Sequence, residues 1–238
     1  MSEEAPQQPS TEVAIEDFIR LATHQLRTPL TNLRWQAESL LGRTDLTPEV
    51  RTGMQKIDSA VARLIALTNT LLDTTRLETG KEVVNKSAFV VAEALAEVAE
   101  TLEPQASQKT LRMVTECPPE LAVFADPKLF SRTYENLLHN AITYSYEHSV
   151  ITTKVEMLSP TTVRVTVIDY GAIVHDDEKE RLFSRFYRGR DAQSLAPSTH
   201  SGLGLFIAKN AVESNGGVLA LDYSNDNGTA FSFTVPRA

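Results

Sequence analysis

A histidine followed one turn later by a threonine and a proline, in "THQLRTPL" (residues 23–30), is the first place in this chain where residue types and spacing suggest a reaction. Counting heptads from Ile19, the apolar residues Ile19, Leu26, Leu33 and Leu40 form one track, with Ala22, Leu30 and Ala37 filling intermediate positions. His24 falls at the sixth heptad position, away from that track, so its imidazole is expected to face solvent as a reachable nucleophile. Pro29 cannot donate to the carbonyl of Gln25, and its ring crowds that oxygen, so the helix should bend or loosen just past the histidine. A second feature lies far along the chain. Gly202 and Gly204 bracket Leu203 at the start of a helical stretch, where exposed backbone N–H groups and the helix dipole suit a phosphate.

The elements that must hold these residues fall into two halves with different periods. The first helix stops at Gly42, "GRTDL" turns the chain, and Thr47 and Pro48 read as the N-cap and first residue of a second helix. Its tracks are Val50, Ile57, Leu64 and Leu71 on one side and Met54, Val61, Thr68 and Thr75 on the other. Such a hairpin has too little inside to be stable alone, and pairing two copies into a four-helix bundle supplies the missing core. Packing on the rest of the chain is the alternative. After "LETGKEVVNKSAF" the period changes. Helices are expected at 90–102, 127–144, 176–187 and 203–215, and strands at 111–115, 122–125, 150–158, 163–169, 218–223 and 230–235, the last two joined by the hairpin signal "SNDNGT". The fold class expected is α+β multidomain: a helical hairpin, then an α/β sandwich.

Composition narrows the partners. The 31 acidic residues against 23 basic ones give a net charge of −8, which argues against nucleic acid and against an anionic membrane surface. No run reaches the roughly 18 apolar residues of a membrane helix, and "MSEEAPQQPS" reads as an acidic, disordered tail rather than a signal peptide. A single cysteine, Cys117, excludes an internal disulfide and fits a reducing, cytoplasmic setting, most simply as a buried thiol. His24, His139, His148, His175 and His200 show no metal-ligand spacing, and the last four read as surface or packing residues.

Against this background "FIRLATHQLRTPLTNL" resembles the phosphoacceptor box of sensor histidine kinases. "DPKLFSRTYENLLHNAITYS" is similar to that family's N box, "DYGAIV" to an altered first glycine box, "LFSRFYRG" to its F box and "SGLGLFIAKN" to its second glycine box. Five boxes in order are far more specific than one. The resemblance covers roughly residues 15–236 and implies a tail at 1–12, a dimerising histidine-phosphotransfer hairpin at 13–82 and an ATP-binding domain of the Bergerat (GHKL-type) fold at 83–238. It implies autophosphorylation of His24 from ATP, then transfer to an aspartate of a response-regulator receiver domain. By resemblance Asn140 holds Mg²⁺ and Asn136 is the second amide of the box. Asp169 accepts from the exocyclic amine of adenine, Gly171 belongs to the first glycine box, and Gly202, Leu203 and Gly204 face the phosphates. Tyr144 and Thr229 resemble positions lining the adenine pocket. Phe183 and Phe186 read as core anchors of the nucleotide lid, "GRDAQSLAPSTHS".

The match has departures. Gln25 stands where an acidic residue usually takes the histidine proton; an amide orients an imidazole but accepts no proton near neutral pH. Ile173 and His200 replace box glycines, and Thr143 stands where a phosphate-facing lysine is common. Thr28 matches the residue that positions water for dephosphorylating a partner regulator. A degenerate or phosphatase-type module that binds a receiver domain is therefore the alternative reading. A hydrolytic ATPase is disfavoured, because Asn136 occupies the place where gyrase-type enzymes carry a glutamate general base, and Glu135 lies about 100° round the helix.

Overall fold

The computed structural model describes residues 11–43, 45–58, 60, 61, 64, 84–195 and 202–238, with side chains from Gln25 onward apart from residue 27. It divides into two compact units, Met1–Glu82 and Val83–Ala238.

In the first unit, α1 spans Thr11–Leu41 and carries Pro29 inside it without a break in helical assignment. The next helix, α2, opens at residue 48 and covers 48–58, with 60, 61 and 64 also helical. Its N-cap is the expected one: the Val50 N–H donates to Thr47 Oγ1 at 3.4 Å. The turn is closed by Arg51, whose guanidinium donates to Leu41 O at 3.0 Å and to Arg43 O at 2.8 Å. A cation thus satisfies carbonyls at the end of α1. Residues 65–83, which include the expected track positions Leu71, Thr68 and Thr75, lie outside the described residues.

The second unit holds a five-stranded sheet with helices packed on one face. Its elements in order are β1 (Ser87–Val90), α3 (Val91–Gln108), β2 (Arg112–Glu116), β3 (Ala122–Ala125), α4 (Pro127–Tyr144), β4 (Val150–Ser159), β5 (Thr162–Asp169), a 3₁₀ turn (Asp176–Arg181), α5 (Arg190–Leu195), α6 (Gly204–Asn215), β6 (Leu219–Asn225) and β7 (Gly228–Pro236). The sheet order is β2-β4-β5-β7-β6, with β2 parallel to β4 and the other pairs antiparallel; β1 and β3 form a separate two-stranded ribbon. Strand β5 alternates strictly, burying Val163, Val165, Val167 and Asp169 on one face. The same face carries a core with Leu95, Phe130, Tyr134, Leu137, Ala208, Val212 and Phe233 from the helices and β7. Phe130 sits edge-on between Phe89 and Phe233, with centroids 5.2 and 5.4 Å away.

The expected layer order and the terminal hairpin are present, and three local expectations are corrected. The helix expected at 90–102 runs on to Gln108. Strand β1, which ends at Val90 where the helix was expected to begin, has no counterpart among the expected strands; it is formed by pairing with β3, a contact between distant segments. The helix expected at 176–187 is only a six-residue 3₁₀ turn, after which Phe186 adopts a left-handed backbone with φ of 61°.

Candidate functional site

Helix α4 is started by Asp126, whose carboxylate accepts from the N–H groups of Lys128 and Leu129 at 2.9 and 3.2 Å, with Pro127 as the first helical residue. Asp126 is itself buried, accepting from the Asn85 N–H at 2.8 Å, and its own N–H donates to Asn215 Oδ1 at 2.7 Å. The start of α4 is therefore tied to the end of α6. Along α4, Asn136 and Asn140 stand one turn apart on one face, both half-buried. The Asn136 amide is oriented by donation to Arg132 O at 2.7 Å, so that Oδ1 turns toward α6. A methyl group on Gly204 would lie 3.1 Å from Asn136 Oδ1 and 3.7 Å from Asn140 Oδ1. The structure thus brings Asn136, Asn140 and Gly204 together.

Gly204 is the first residue of α6. Leu203 before it is buried and supplies no side-chain cap, so among the described residues no cap side chain competes with a ligand for the first N–H groups of the helix. Gly202 has φ of +70° and lies so close to the next segment that a Cβ would be 2.7 Å from both Phe186 C and Tyr187 O. Only glycine fits there, on conformational and steric grounds together.

Asp169 ends β5 on the covered face, 94% buried, and its Oδ1 has no hydrogen-bond partner among the described residues. Burial drives its carboxyl up to about 8. An orphaned acceptor at a strand end is costly unless something donates to it, so the residue is suited to a bound N–H group such as an exocyclic amine. Thr229 lies directly across from Asp169 on β7. Its hydroxyl donates to Ala172 O at 3.1 Å and pairs with Ser224 Oγ at 2.7 Å, fixing the loop after Asp169. That loop touches the end of α4 at Gly171, where a Cβ would stand 1.8 Å from Tyr144 O. The Ala172 N–H donates to Tyr144 O at 3.1 Å and Tyr146 N–H to Tyr170 O at 2.9 Å. Glycine 171 is thus demanded by the close passage of two backbones. Ile173, in place of a second glycine, is accommodated without a left-handed backbone. Tyr144 is half-buried and interacts with Arg188; burial raises its hydroxyl despite that cation.

Of the two expected lid anchors, Phe183 packs edge-on against Phe231 with centroids 6.4 Å apart. Phe186 does not: it is 63% exposed, because its left-handed backbone turns the ring outward, and the expectation that it anchors the core is corrected. The residue that organises this segment instead is Glu178, missed in the sequence. It is buried and accepts from the N–H groups of His175 (3.1 Å) and Arg190 (2.9 Å) and from the Tyr187 hydroxyl (3.1 Å). Burial alone would raise its carboxyl, but those donors together hold it below the ordinary value. The signal was a capping-box spacing with an unusual N-cap, His175. Residues 196–201 of the expected lid, His200 among them, lie outside the described residues. His139 is half-buried, and its imidazole is pushed down by desolvation, against the opposing charge of Glu135.

In the hairpin, Gln25 and Thr28 are exposed on α1. His24 lies on the same helix, and its side chain is outside the described residues, so the expected outward orientation stays an expectation. Among the described residues no helix is long and apolar enough to cross a membrane.

A buried acceptor at a strand end, paired amides on a facing helix and an uncapped helix beginning at glycine define an α+β fold of the GHKL ATP-binding type. The description "Histidine kinase-, DNA gyrase B-, and HSP90-like ATPase" matches residues 125–238, and "His Kinase A (phospho-acceptor) domain" matches residues 14–80. SenX3 of Mycobacterium tuberculosis, a sensor-like histidine kinase, is 28% identical over 225 residues, covering 94% of this chain and 54% of SenX3. The solved structure of full-length ShkA in complex with AMPPNP superposes with a TM-score of 0.77 at 24% identity, over 94% of this chain and 46% of ShkA. The catalytic domain of the histidine kinase ThkA gives 0.57 at 26% identity, over 64% of this chain and 96% of that domain. With both domains in order, this chain belongs to the sensor histidine kinase family. It spans about half the length of SenX3.

Proposed function

We propose that the chain is the kinase core of a two-component system, which transfers the terminal phosphoryl group of ATP to His24 and then to an aspartate of a response-regulator receiver domain. The observation that carries the nucleotide end is the unpartnered Oδ1 of Asp169, buried beside the loop that Thr229 and Tyr144 fix. Asp169 accepts from the adenine amine, Tyr144 and Thr229 frame the base, and Gly202, Leu203 and Gly204 present the start of α6 to the phosphates. Asn140 with its neighbour Asn136 offers amide oxygens at that same helix end, which fits a Mg²⁺ that keeps most of its ligands as phosphate and water oxygens. That ion would neutralise charge developing on the transferred group. Asn136 puts an amide where a water-activating carboxylate would be needed, which favours a protein nucleophile over hydrolysis.

At the other end, imidazole attack at the γ-phosphorus forms an N–P bond as the bond to the ADP oxygen breaks. In this reading Gln25 orients the ring, and Thr28 positions a water that hydrolyses the regulator's aspartyl phosphate and releases inorganic phosphate. The domain boundaries that go with this reading are a tail at 1–12, a hairpin at 13–82 and a catalytic domain at 83–238, acting as a cytoplasmic homodimer. Leu26 and Leu33 are 51% and 49% exposed, with Leu40, Val50, Ile57 and Leu64 also exposed, which supports a second copy covering this seam. Incubation with γ-labelled ATP tests the proposal: acid-labile label on the chain, absent in His24→Ala, is expected. Free phosphate released independently of His24 would overturn it.

A further inference from the structure

The C-terminal end of α4 leaves carbonyls that the helix itself does not satisfy. Helix ends leave four carbonyls without intrahelical partners, and buried carbonyls must find donors elsewhere. This helix has no basic residue in its last turn and no left-handed cap, since Ser145 is extended. Ala141 O receives the Ser145 N–H at 3.0 Å, and Tyr144 O receives the Ala172 N–H at 3.1 Å. The others are taken by one side chain from a distant turn. Lys109 Nζ donates to Ile142 O at 3.0 Å, to Thr143 O, and to Ser145 O at 3.3 Å.

Three donors of one ammonium thus meet three carbonyls that bracket Tyr144 on both sides. The lysine is delivered by a tight turn after α3, in which Thr110 is left-handed (φ 56°) and the Leu111 N–H returns to Ala106 O at 3.0 Å. The His148 N–H donates to Lys109 O at 3.1 Å, so backbone and side chain of Lys109 both hold the segment that follows α4. On the opposite side, Tyr144 O and the Tyr146 N–H bind the loop that follows Asp169. The backbone at Tyr144 is therefore held against the loop that follows Asp169 by two clamps, one of them Lys109.

We propose that Lys109 is a positioning residue for the base end of the nucleotide site, acting through the end of α4 rather than by touching the ligand. The proposal rests on the nucleotide reading given above. It separates the ends of the ligand: losing Lys109 releases Tyr144 and the loop beyond Asp169, but leaves Asn136, Asn140 and the start of α6 in place.

The test compares the full chain with Lys109→Met, Lys109→Gln and Lys109→Arg, titrating adenosine, ADP, a non-hydrolysable ATP analogue and inorganic tripolyphosphate by calorimetry. Lys109→Met is expected to weaken adenosine, ADP and the ATP analogue alike, by about tenfold, with tripolyphosphate unchanged. Lys109→Arg, which keeps charge and several donors, should restore most of the affinity. Lys109→Gln, with one amide donor group, should fall between, and it carries the test should the methionine variant not fold. Equal adenosine and ADP affinity in a folded Gln or Met variant overturns the inference, as does a loss confined to ligands bearing the triphosphate. A wild-type chain that binds no adenine compound overturns the nucleotide reading itself and this inference with it. That outcome is distinct from a binding wild type beside an equally binding variant.

Discussion

The two units of this chain solve the problem of apolar surface in opposite ways. In the α/β unit the sheet face and three helices enclose one continuous core, with Phe130, Tyr134, Phe233 and Leu95 almost wholly out of water. In the hairpin, the described apolar residues that are buried are Ala37 and Val61, while Leu26, Leu33, Leu40, Val50, Ile57 and Leu64 stand exposed at heptad spacing. Each buried Leu or Ile contributes about 1.5–3 kcal/mol, so one unit holds its stability inside itself and the other carries it on its surface. The difference teaches that nucleotide binding should be a property of a single chain, and hairpin folding a property of a pair.

The sharpest way to break that comparison is to charge the seam. Leu26→Lys with Leu33→Lys is expected to convert dimer to monomer in sedimentation, shifting the dissociation constant by about three orders of magnitude or more, because each lysine would have to enter the apolar interface. Nucleotide affinity measured on the same sample should be unchanged. A variant that stays dimeric places the dimer contact elsewhere.

Next in size is Asp169→Asn, which separates stability from function within the α/β unit. The change replaces a group that can ionise against the adenine amine by a neutral amide whose NH2 competes for the same place, and should weaken adenine nucleotide binding about 100-fold, leaving the dimer intact. It should also make the free domain more stable. The Asp169 carboxyl, at about 8 when folded, lies far above the ordinary aspartate value of 3.8. A folded state that binds protons more tightly loses stability as pH rises from about 4 through 8. Asparagine does not titrate, so its advantage should be near zero at pH 4, grow to about 5 kcal/mol at pH 8 and level off above. Thermal melts across that range check the slope, and a constant difference would show that the carboxyl titrates normally.

Gly171→Ala is expected to cost about 2–4 kcal/mol of domain stability, since the added methyl meets Tyr144 O at 1.8 Å and one of two backbones must move. Equilibrium denaturation measures it. Sequence reading found this glycine for a different reason. The resemblance marks Gly171 as a residue approached by nucleotide, whereas the geometry shows it approached by α4. Much of the site was legible in this way. The bounds of α4, the strand ending at Asp169 and the N-cap at Thr47 followed from period and capping residues, which are local signals. Lys109 and Glu178 were not legible as organisers. Lys109 acts on carbonyls more than 30 residues away, and nothing in "ASQKTLRM" reports a contact made only after α3 and α4 pack. Phe186 was misread because an aromatic at helical spacing suggests burial, and a single left-handed residue reverses where it points.

The smallest effect expected concerns polar contacts on the hairpin. Arg34 Nε donates to Glu38 Oε1 at 3.0 Å along α1 and lies 3.7 Å from Asp58 Oδ1 on α2, where the two helices of one chain come side by side. Both arginine and glutamate side chains are about half exposed, so the pair is screened by water and salt and its side chains lose rotamer freedom in meeting. Arg34→Ala is therefore expected to lower hairpin stability by only about 0.5 kcal/mol in low salt, and by less at 1 M salt, where the screening length falls to about 3 Å. Melts of the dimer at the two salt concentrations measure this directly. A loss of several kcal/mol would mean that ion pairs, rather than the exposed leucine track, hold the helices together, and the contrast between the two units would have to be redrawn.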